Sequence, residues 1–347
     1  INIKTNDINR EAYGVLDNSF GSFNTMKNTV KAGTGLLNEK FTLDMRLSRV
    51  NSGGYIDRAT TDLKSYYASG AWVGKKSLLR ATVFSGKEKT YQAWYGTPQS
   101  VVNGNADSIT AYADRNGIEG SDRDNLLNSG RTYNYYTYDN EVDNYQQDHY
   151  QLHWNEKINN NWSTNIGLNY TRGKGYFEQF KGGRDAADYN NLIVDGSDVI
   201  VDRWLDNHFY VANFNADYKG DNFDIISGAS YSNYKNDHYG EVIWGSNLAP
   251  NTTIRDRYYE SNSKKTDLSL FSKATFNLTE KMKAFVDLQY RTVNYKTAGL
   301  TSDRDPINVD EDYNFFNPKL GFTYKFNEEH SLYASYARAN REPNRND

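Results

Sequence analysis

The sequence predicts an all-β fold, an antiparallel transmembrane β-barrel, from alternating hydrophobicity, long strands and two classes of connection. Successive side chains of a strand point to opposite faces of the sheet. From Met282 to Tyr290 the even-numbered residues are Met, Ala, Val, Leu and Tyr, whereas the odd-numbered residues are mostly polar. Similar alternation runs over 41–48, 268–276 and 316–326. Strands of about ten residues with one apolar face are typical of membrane barrels.

Reading the alternation in chain order gives thirteen strands. We predict them at 11–20, 24–35, 39–50, 65–73, 77–86, 146–157, 162–172, 208–219, 222–234, 264–278, 282–295, 315–326 and 331–339. Most exceed the five or six residues that are usual for a strand of a globular sheet. Their length therefore favours a wall that crosses a membrane.

The connections between these strands alternate between short and long. Short polar turns are predicted at 37–39, 74–76, 159–161, 220–221, 279–281 and 327–330. Long insertions are predicted at 51–64, 87–144, 174–206, 235–263 and 296–313, and they are too rich in Gly, Asn and Asp to suggest a separate folded domain. Short periplasmic turns and long extracellular loops are typical of outer-membrane barrels.

The polar face of the strands distinguishes a barrel from a soluble β-sandwich, which also alternates. Residues such as Arg46, Lys273 and Asp287 lie in mid-strand on this face, and a dry core would not tolerate them unpaired. Aromatic residues stand near strand ends on the apolar face, as at a membrane interface. A water-filled or polar interior explains both features.

Composition limits the remaining classes of protein. The chain has 347 residues, 37% hydrophobic, with 44 Asp+Glu, 40 Lys+Arg and no Cys. No stretch approaches the roughly 20 apolar residues of a spanning helix. The interspersed, nearly balanced charges indicate no nucleic-acid partner, and the absence of Cys excludes disulfides, iron–sulfur clusters and Cys-based zinc sites.

Aromatic residues in the long polar loops are the candidate ligand-binding residues, because exposed rings offer large contact area at low entropic cost. An arginine in the same loops is a candidate contact for an anionic ligand. The candidates are Tyr91, Trp94, Tyr95, Arg123, Tyr135, Tyr136, Trp204 and Trp244. Alternatively, the aromatic residues belong to an interfacial girdle or pack the loops against one another.

No catalytic or metal site is predicted, and no cofactor. His149 and His153 share one face of a strand, but four residues of rise separate them by about 13 Å, too far for one metal ion. The acidic residues from Asp114 to Glu119 lack the glycine and glutamate positions of a calcium loop. The two histidines are interpreted as polar residues that face the barrel interior.

Segments at both ends of the chain resemble a known family, the TonB-dependent outer-membrane receptors. The sequences INIKT at 1–5 and GSFNT at 21–25 resemble the junction between the plug of such a receptor and its first barrel hairpin. LSR at 47–49 and SGGYIDR at 52–58 are similar to the strand and loop that follow. FNPKLG at 316–321, SLYASYAR at 331–338 and REP at 341–343 resemble its late-barrel segment.

The resemblance implies a barrel of 22 strands filled by a plug, of which this chain supplies thirteen. It implies a division into a junction at 1–10 and a partial barrel at 11–347. It also implies an outer-membrane importer rather than an enzyme. The implied partners are the TonB–ExbB–ExbD complex, reached through the plug, outer-membrane lipid and a small-molecule nutrient. A ferric siderophore is the favoured nutrient, ahead of cobalamin, haem and glycans. A passive porin or adhesin and a secreted glycan-binding β-protein are the alternatives.

Overall fold

The computed structural model describes residues 8–343. Residues 1–7, which carry the first segment of the predicted plug junction, lie outside the described residues, as do residues 344–347. The described chain forms one antiparallel sheet of thirteen strands in sequence order, with the first and the last strand at its edges. Thirteen strands, each paired with its neighbours in the sequence, confirm the predicted fold class.

A single α-helical insertion interrupts the series of thirteen strands. They are β1 (Tyr13–Gly21), β2 (Thr25–Gly33), β3 (Phe41–Ser52), β4 (Thr61–Val73), β5 (Ser77–Tyr91), β6 (Val142–Lys157), β7 (Trp162–Arg184), β8 (Ser197–Lys219), β9 (Phe223–Gly245), β10 (Arg257–Thr279), β11 (Met282–Leu300), β12 (Pro306–Lys325) and β13 (Ser331–Ala337). The helices α1 (Gln99–Asn103), α2 (Ala106–Arg115) and α3 (Gly120–Asn128) lie between β5 and β6. None of the helices in residues 8–343 is both long and apolar enough to cross a bilayer.

The outward face of the sheet carries an apolar band between two rings of aromatic side chains. The register places the ring nearer the long insertions, here called the upper ring, at Tyr66, Tyr150, Tyr170, Tyr210, Tyr231, Tyr290 and Phe316. The lower ring, beside the short turns, comprises Phe41, Trp72, Trp154, Trp162, Tyr218, Phe223, Phe276 and Phe322. Two such rings mark the two interfaces of a membrane-embedded barrel.

The inward face is polar and hydrogen-bonded from strand to strand. Ser69 and Thr82 are joined by a 3.1 Å bond across β4 and β5, and Ser230 donates to Asn213 across β8 and β9 at 2.6 Å. His149 stacks on the inward ring of Phe84 with centroids 4.2 Å apart. This arrangement agrees with the predicted polar interior and with the inward position of His149.

The four strands β7 to β10 are each 23 residues long, and β11 and β12 have 19 and 20 residues; these lengths correct three predicted loops. Most residues of the loops predicted at 174–206, 235–263 and 296–313 are strand. Beyond the upper ring the outward residues are polar as well, for example Arg172, His208 and Lys235. Alternation of apolar and polar residues disappears where lipid no longer contacts the strand, so the sequence pattern ends although the hydrogen-bonded ladder continues.

A small dry core caps the upper ends of β8, β9 and β10. Its buried residues are Tyr189, Ile193, Val199, Val201, Val242, Tyr258 and Tyr259. The register of β10 against β9 shifts between Arg257 and Tyr259. Gly240 makes the packing possible, because a Cβ atom at this position would lie 2.4 Å from the rings of both Tyr258 and Tyr259.

Candidate functional site

The insertion between β5 and β6 is folded around its own core, contrary to the expectation from its composition. Asn105 caps α2 by accepting a hydrogen bond from the Ser108 backbone amide at 2.8 Å, as N-cap side chains commonly do. The core of the three helices contains Val101, Ile109, Ala113, Leu126 and Tyr133. The insertion therefore presents its side chains from a packed unit.

Arg58, in the connection between β3 and β4, holds this insertion in place. Its guanidinium donates to the carbonyl oxygens of Tyr136 at 3.0 Å and Asn134 at 3.2 Å. The fully buried amide of Asn134 donates in turn to the carbonyl oxygens of Asp57 and Gln92. Hydrogen bonds from charged donors are among the stronger ones in proteins, so these contacts fix residues 134–136 against the strand ends.

A second set of contacts joins the insertion to β7. The buried Gln92 side chain donates to the carbonyl oxygens of Val142 and Glu178, and Gln179 donates to the Gln92 side-chain oxygen at 2.9 Å. The Tyr138 hydroxyl donates to the Glu178 carboxylate at 2.8 Å. The insertion is thus anchored on both of its flanks.

Four of the predicted ligand-binding residues meet in one aromatic cluster on this anchored insertion. The Tyr95 ring lies 4.9 Å from that of Tyr135 and 5.6 Å from that of Tyr136, centroid to centroid. Trp94 lies edge-on to Tyr136 at 6.2 Å. Tyr136 is buried, whereas Trp94, Tyr95 and Tyr135 are 53%, 62% and 56% exposed. One buried ring thus supports three exposed ones.

The cluster continues onto inward-facing residues of the strand extensions. Trp94 contacts Phe177 of β7 at 5.3 Å, and the Arg203 guanidinium lies 5.1 Å from the Phe177 ring centroid. Arg203 also lies 5.8 Å from the ring of Tyr259. Aromatic rings beside a cation form a surface suited to an anionic aromatic ligand. We call Trp94, Tyr95, Tyr135, Phe177 and Arg203 the mouth cluster.

The sequence prediction missed Phe177 and Arg203. Both lie in the segment 174–206 that was predicted to be a loop, so neither could be assigned to the inward face of a strand. Continuing the two-residue period of β7 and β8 past the upper ring would have placed both side chains inward.

Two further candidates support the loop fold rather than the mouth cluster. Tyr91 is the last residue of β5 and is buried, and its hydroxyl donates to the Tyr138 carbonyl oxygen at 2.6 Å. Arg123 pairs with Asp114 at 2.6 Å within the helical unit. The structure brings neither side chain to the exposed rings.

Trp204 and Trp244 were predicted on loops, and both lie on strands instead. Trp204 is on the outward face of β8, where its ring packs between those of Tyr176 and Tyr239. Trp244 is near the end of β9, opposite Ile200 of β8. They were misplaced because the polar outward face of these extended strands resembles a loop in composition.

Buried carboxylates at the upper end have raised pKa values. Burial raises the pKa of Glu141 to about 7, against the opposing effect of Lys181. Burial, followed by repulsion from Glu178, raises the pKa of Asp202 to about 7 as well. Asp202 lies directly opposite Glu178 on one side and Glu241 on the other. This end of the sheet therefore holds acidic groups that titrate near neutral pH.

The acidic groups of the described residues are not clustered as metal ligands. Within residues 8–343, no group of three or more His, Asp or Glu side chains is arranged to hold a metal ion.

A protein-family model and several solved structures are similar to this chain. Residues 89–347 match the family model described as TonB dependent receptor-like, beta-barrel. No curated protein matches the sequence.

Several solved structures share the fold. The ferric-catecholate import receptor Fiu of E. coli K12, in its open form, has a TM-score of 0.65 and 16% identity over 95% of this chain and 55% of that chain. The ferric yersiniabactin uptake receptor FyuA of Yersinia pestis has a TM-score of 0.65 and 12% identity over 95% and 47%. The copper transporter OprC has a TM-score of 0.64 and 11% identity over 97% and 46%. The chain spans about half the length of these structures.

Proposed function

Because the chain belongs to the TonB-dependent receptor β-barrel family, we propose that it is the barrel portion of an active importer that captures a ferric siderophore at its extracellular mouth. Receptors of this family are transporters of the outer membrane and not enzymes.

The observation that carries the proposal is the mouth cluster. The exposed rings of Trp94, Tyr95 and Tyr135 pack on the buried ring of Tyr136. The Arg203 guanidinium lies against the ring of Phe177 on the inward face of the sheet. Rings provide stacking area, and a guanidinium attracts negative charge and stacks on aromatic faces. Many ferric siderophore complexes combine aromatic chelating groups with negative charge, which suits this surface. Two of the similar solved structures are named as receptors for ferric complexes.

Energy coupling is the second part of the proposal. We propose that residues 1–10 are the junction from a plug domain and that residues 11–347 belong to the barrel around it. The plug would contact the TonB–ExbB–ExbD complex, and its displacement would admit the ligand. The polar inward face suits this arrangement, because solvated hydrogen bonds to a plug are weak enough to be released.

Ligand binding is tested with the full-length protein that contains this chain, purified in detergent and titrated with the ferric complex of a catecholate siderophore. Tryptophan fluorescence quenching measures the affinity. Trp94→Ala is expected to weaken binding about five- to thirtyfold, since removing one aromatic ring at a contact site costs about 1 to 2 kcal/mol. Trp244→Ala is the matched control and is expected to leave the affinity unchanged.

Equal affinities for Trp94→Ala and the parent protein would show that the mouth cluster does not bind the ligand. If the ferric complex fails to bind while haem, cobalamin or an oligosaccharide quenches the fluorescence through Trp94, the site stands and the siderophore assignment fails. Uptake of radiolabelled iron in cells with and without TonB tests the energy source. TonB-independent uptake would instead support a passive porin.

A further inference from the structure

A row of three basic side chains crosses the outer surface of β3, β4 and β5 just beyond the upper ring. In the register of the sheet, Arg49 lies directly opposite Lys64, and Lys64 lies directly opposite Lys87. All three are exposed. Like charges directly opposite one another destabilise a sheet. We call Arg49, Lys64 and Lys87 the outer basic row.

The protein neutralises this row only in part. Asp62 accepts a hydrogen bond from Arg49 at 3.0 Å and pairs with Lys64 at 3.1 Å. Lys87 has no ion-pair partner among residues 8–343, and the exposed Lys89 follows it on the same face of β5. One carboxylate thus faces four cationic groups, which leaves an excess of positive charge at the membrane boundary.

Some other basic residues at a similar level carry their own counter-charge, whereas Lys235 of β9 and Lys264 of β10 lie directly opposite each other. Arg172 and Lys174 of β7 both pair with Asp206 of β8. Lys296 of β11 pairs with Asp310 of β12 at 2.8 Å. The outer basic row differs from Arg172, Lys174 and Lys296 because Lys87, at its β5 end, is left without a carboxylate partner among residues 8–343.

A groove accompanies the row. It has a volume of about 500 Å³ and includes all three basic residues together with the amides of Asn28 and Gln146. Its apolar wall is formed by Val30, Leu47 and the ring of Tyr66, which belong to the outward band. Along the strands, from the apolar band towards the long insertions, the lining of the groove therefore changes from apolar to basic. A membrane lipid changes from acyl chain to charged head group in the same direction.

We propose that this groove binds an anionic membrane lipid, with its phosphate on the outer basic row and its acyl chain along Val30 and Leu47. Charge complementarity selects the head group, because basic side chains near an anionic lipid surface each favour binding. The Asn28 amide is a further donor for the phosphate, whereas the Gln146 amide already donates to the Asp148 carboxylate. The membrane that surrounds the barrel supplies the ligand.

The test uses the full-length protein in neutral maltoside micelles, with native mass spectrometry to count bound lipid. The probes are dioleoyl phosphatidylglycerol and dioleoyl phosphatidylcholine, which share their acyl chains. The anionic lipid is expected to bind more tightly than the zwitterionic one. The triple variant Arg49→Gln, Lys64→Gln, Lys87→Gln is expected to lose roughly a hundredfold in affinity for phosphatidylglycerol, since each basic residue contributes about fivefold.

The control removes the same number of charges at the opposite end of the strands, through Lys75→Gln, Lys76→Gln and Lys281→Gln. This variant is expected to bind like the parent protein. Equal losses in both variants would mean that net charge alone attracts the lipid, and an unchanged affinity in the first variant would overturn the groove. Displacement of the lipid by excess inorganic phosphate alone, with no dependence on the acyl chain, would likewise overturn a lipid site. Circular dichroism confirms that each variant is folded.

Discussion

Tyrosines of the upper ring and tyrosines of the β5–β6 insertion are the same residue in two different settings. The ring residues Tyr150, Tyr210 and Tyr231 are 43% to 46% exposed on the outward face. In the insertion, Tyr133 and Tyr136 are at most 5% exposed. Ring tyrosines gain their stability from lipid and headgroup water, whereas those of the insertion gain it from contacts within the protein. The wall and the insertion therefore draw their stability from different kinds of contact.

The largest expected effect comes from placing a charge on the lipid-facing band. Leu288 lies on this face of β11, between Ser272 and Pro318. Leu288→Arg is expected to lower the free energy of unfolding in a bilayer by about 2 to 4 kcal/mol, because the charged side chain loses its hydration in lipid. Urea unfolding of the full-length protein in vesicles measures the change. Ser232→Arg, on the inward face of β9, is the matched control. A comparable loss there would contradict the assignment of the two faces.

A smaller effect is expected from releasing the insertion while leaving the wall intact. Arg58→Ala removes the donor to the carbonyl oxygens of Tyr136 and Asn134. The opening free energy of residues 133–138 is expected to fall by about 2 kcal/mol, a usual value for hydrogen bonds of a charged group. Hydrogen exchange measures the opening. Arg131→Ala removes a single, exposed contact to Val102 and should change little. Joint loss of protection in the β-strands would show that wall and insertion are coupled.

The pH dependence distinguishes the upper end from the wall. Burial raises the pKa of Asp202 to about 7, above an ordinary value of about 3.9. The folded state therefore holds an extra proton between these values, and the stability of the upper end falls as pH rises from about 4 to 7. Glu178, Glu241 and Arg255 surround this carboxyl.

Asp202→Asn is expected to increase protection of residues 197–205 at pH 8 by about 1 to 2 kcal/mol, since it removes a buried negative charge beside Glu178. At pH 5 the variant and the parent should be equal. Hydrogen exchange at the two pH values gives the comparison. Asp310→Asn, at an exposed ion pair with Lys296, is the control. A pH-independent gain for Asp202→Asn would show that burial does not hold a proton there.

The smallest expected difference compares single hydroxyl groups in the two regions. Tyr138→Phe removes the bond to Glu178 and is expected to cost about 1 kcal/mol in local stability. In the upper ring, Tyr231→Phe should cost less, because water at the interface replaces its hydroxyl contacts. Thermal melting monitored by near-ultraviolet circular dichroism compares the two. Equal costs would mean that the ring hydroxyls make specific contacts.

The wall was predictable from the sequence because lipid imposes a pattern. From Met282 to Tyr290 every second side chain faces hydrocarbon, and the alternation fixes both the strand and its outward face. Above Tyr290 the outward residues Thr292, Asn294 and Lys296 face water, so the alternation stops while the backbone ladder continues to Leu300. The upper halves of β7 to β12 were missed for this physical reason.

The mouth cluster was predictable only in part. Trp94, Tyr95, Tyr135 and Tyr136 stood out as aromatic residues in a polar stretch, and the structure brings them together. Arg203 could not be assigned, because its place depends on the register of β8 against β7. The partner of Arg123 is nine residues away, at Asp114, and depends on helices that the composition did not indicate.

The length of the central strands has a consequence for where a nutrient first touches the protein. A strand of 23 residues reaches roughly 75 Å, or about 55 Å along the barrel axis at the usual tilt, of which the hydrocarbon layer occupies about 25 to 30 Å. Arg203 lies beyond the upper-ring residue Tyr210 on β8, roughly 17 Å further along the barrel axis, and Trp94 contacts Phe177, which lies opposite Arg203. Under the proposed function, capture at the mouth cluster and passage through the membrane-spanning wall would occur at separate heights, so substitutions in the mouth cluster could change the ligand without altering the wall.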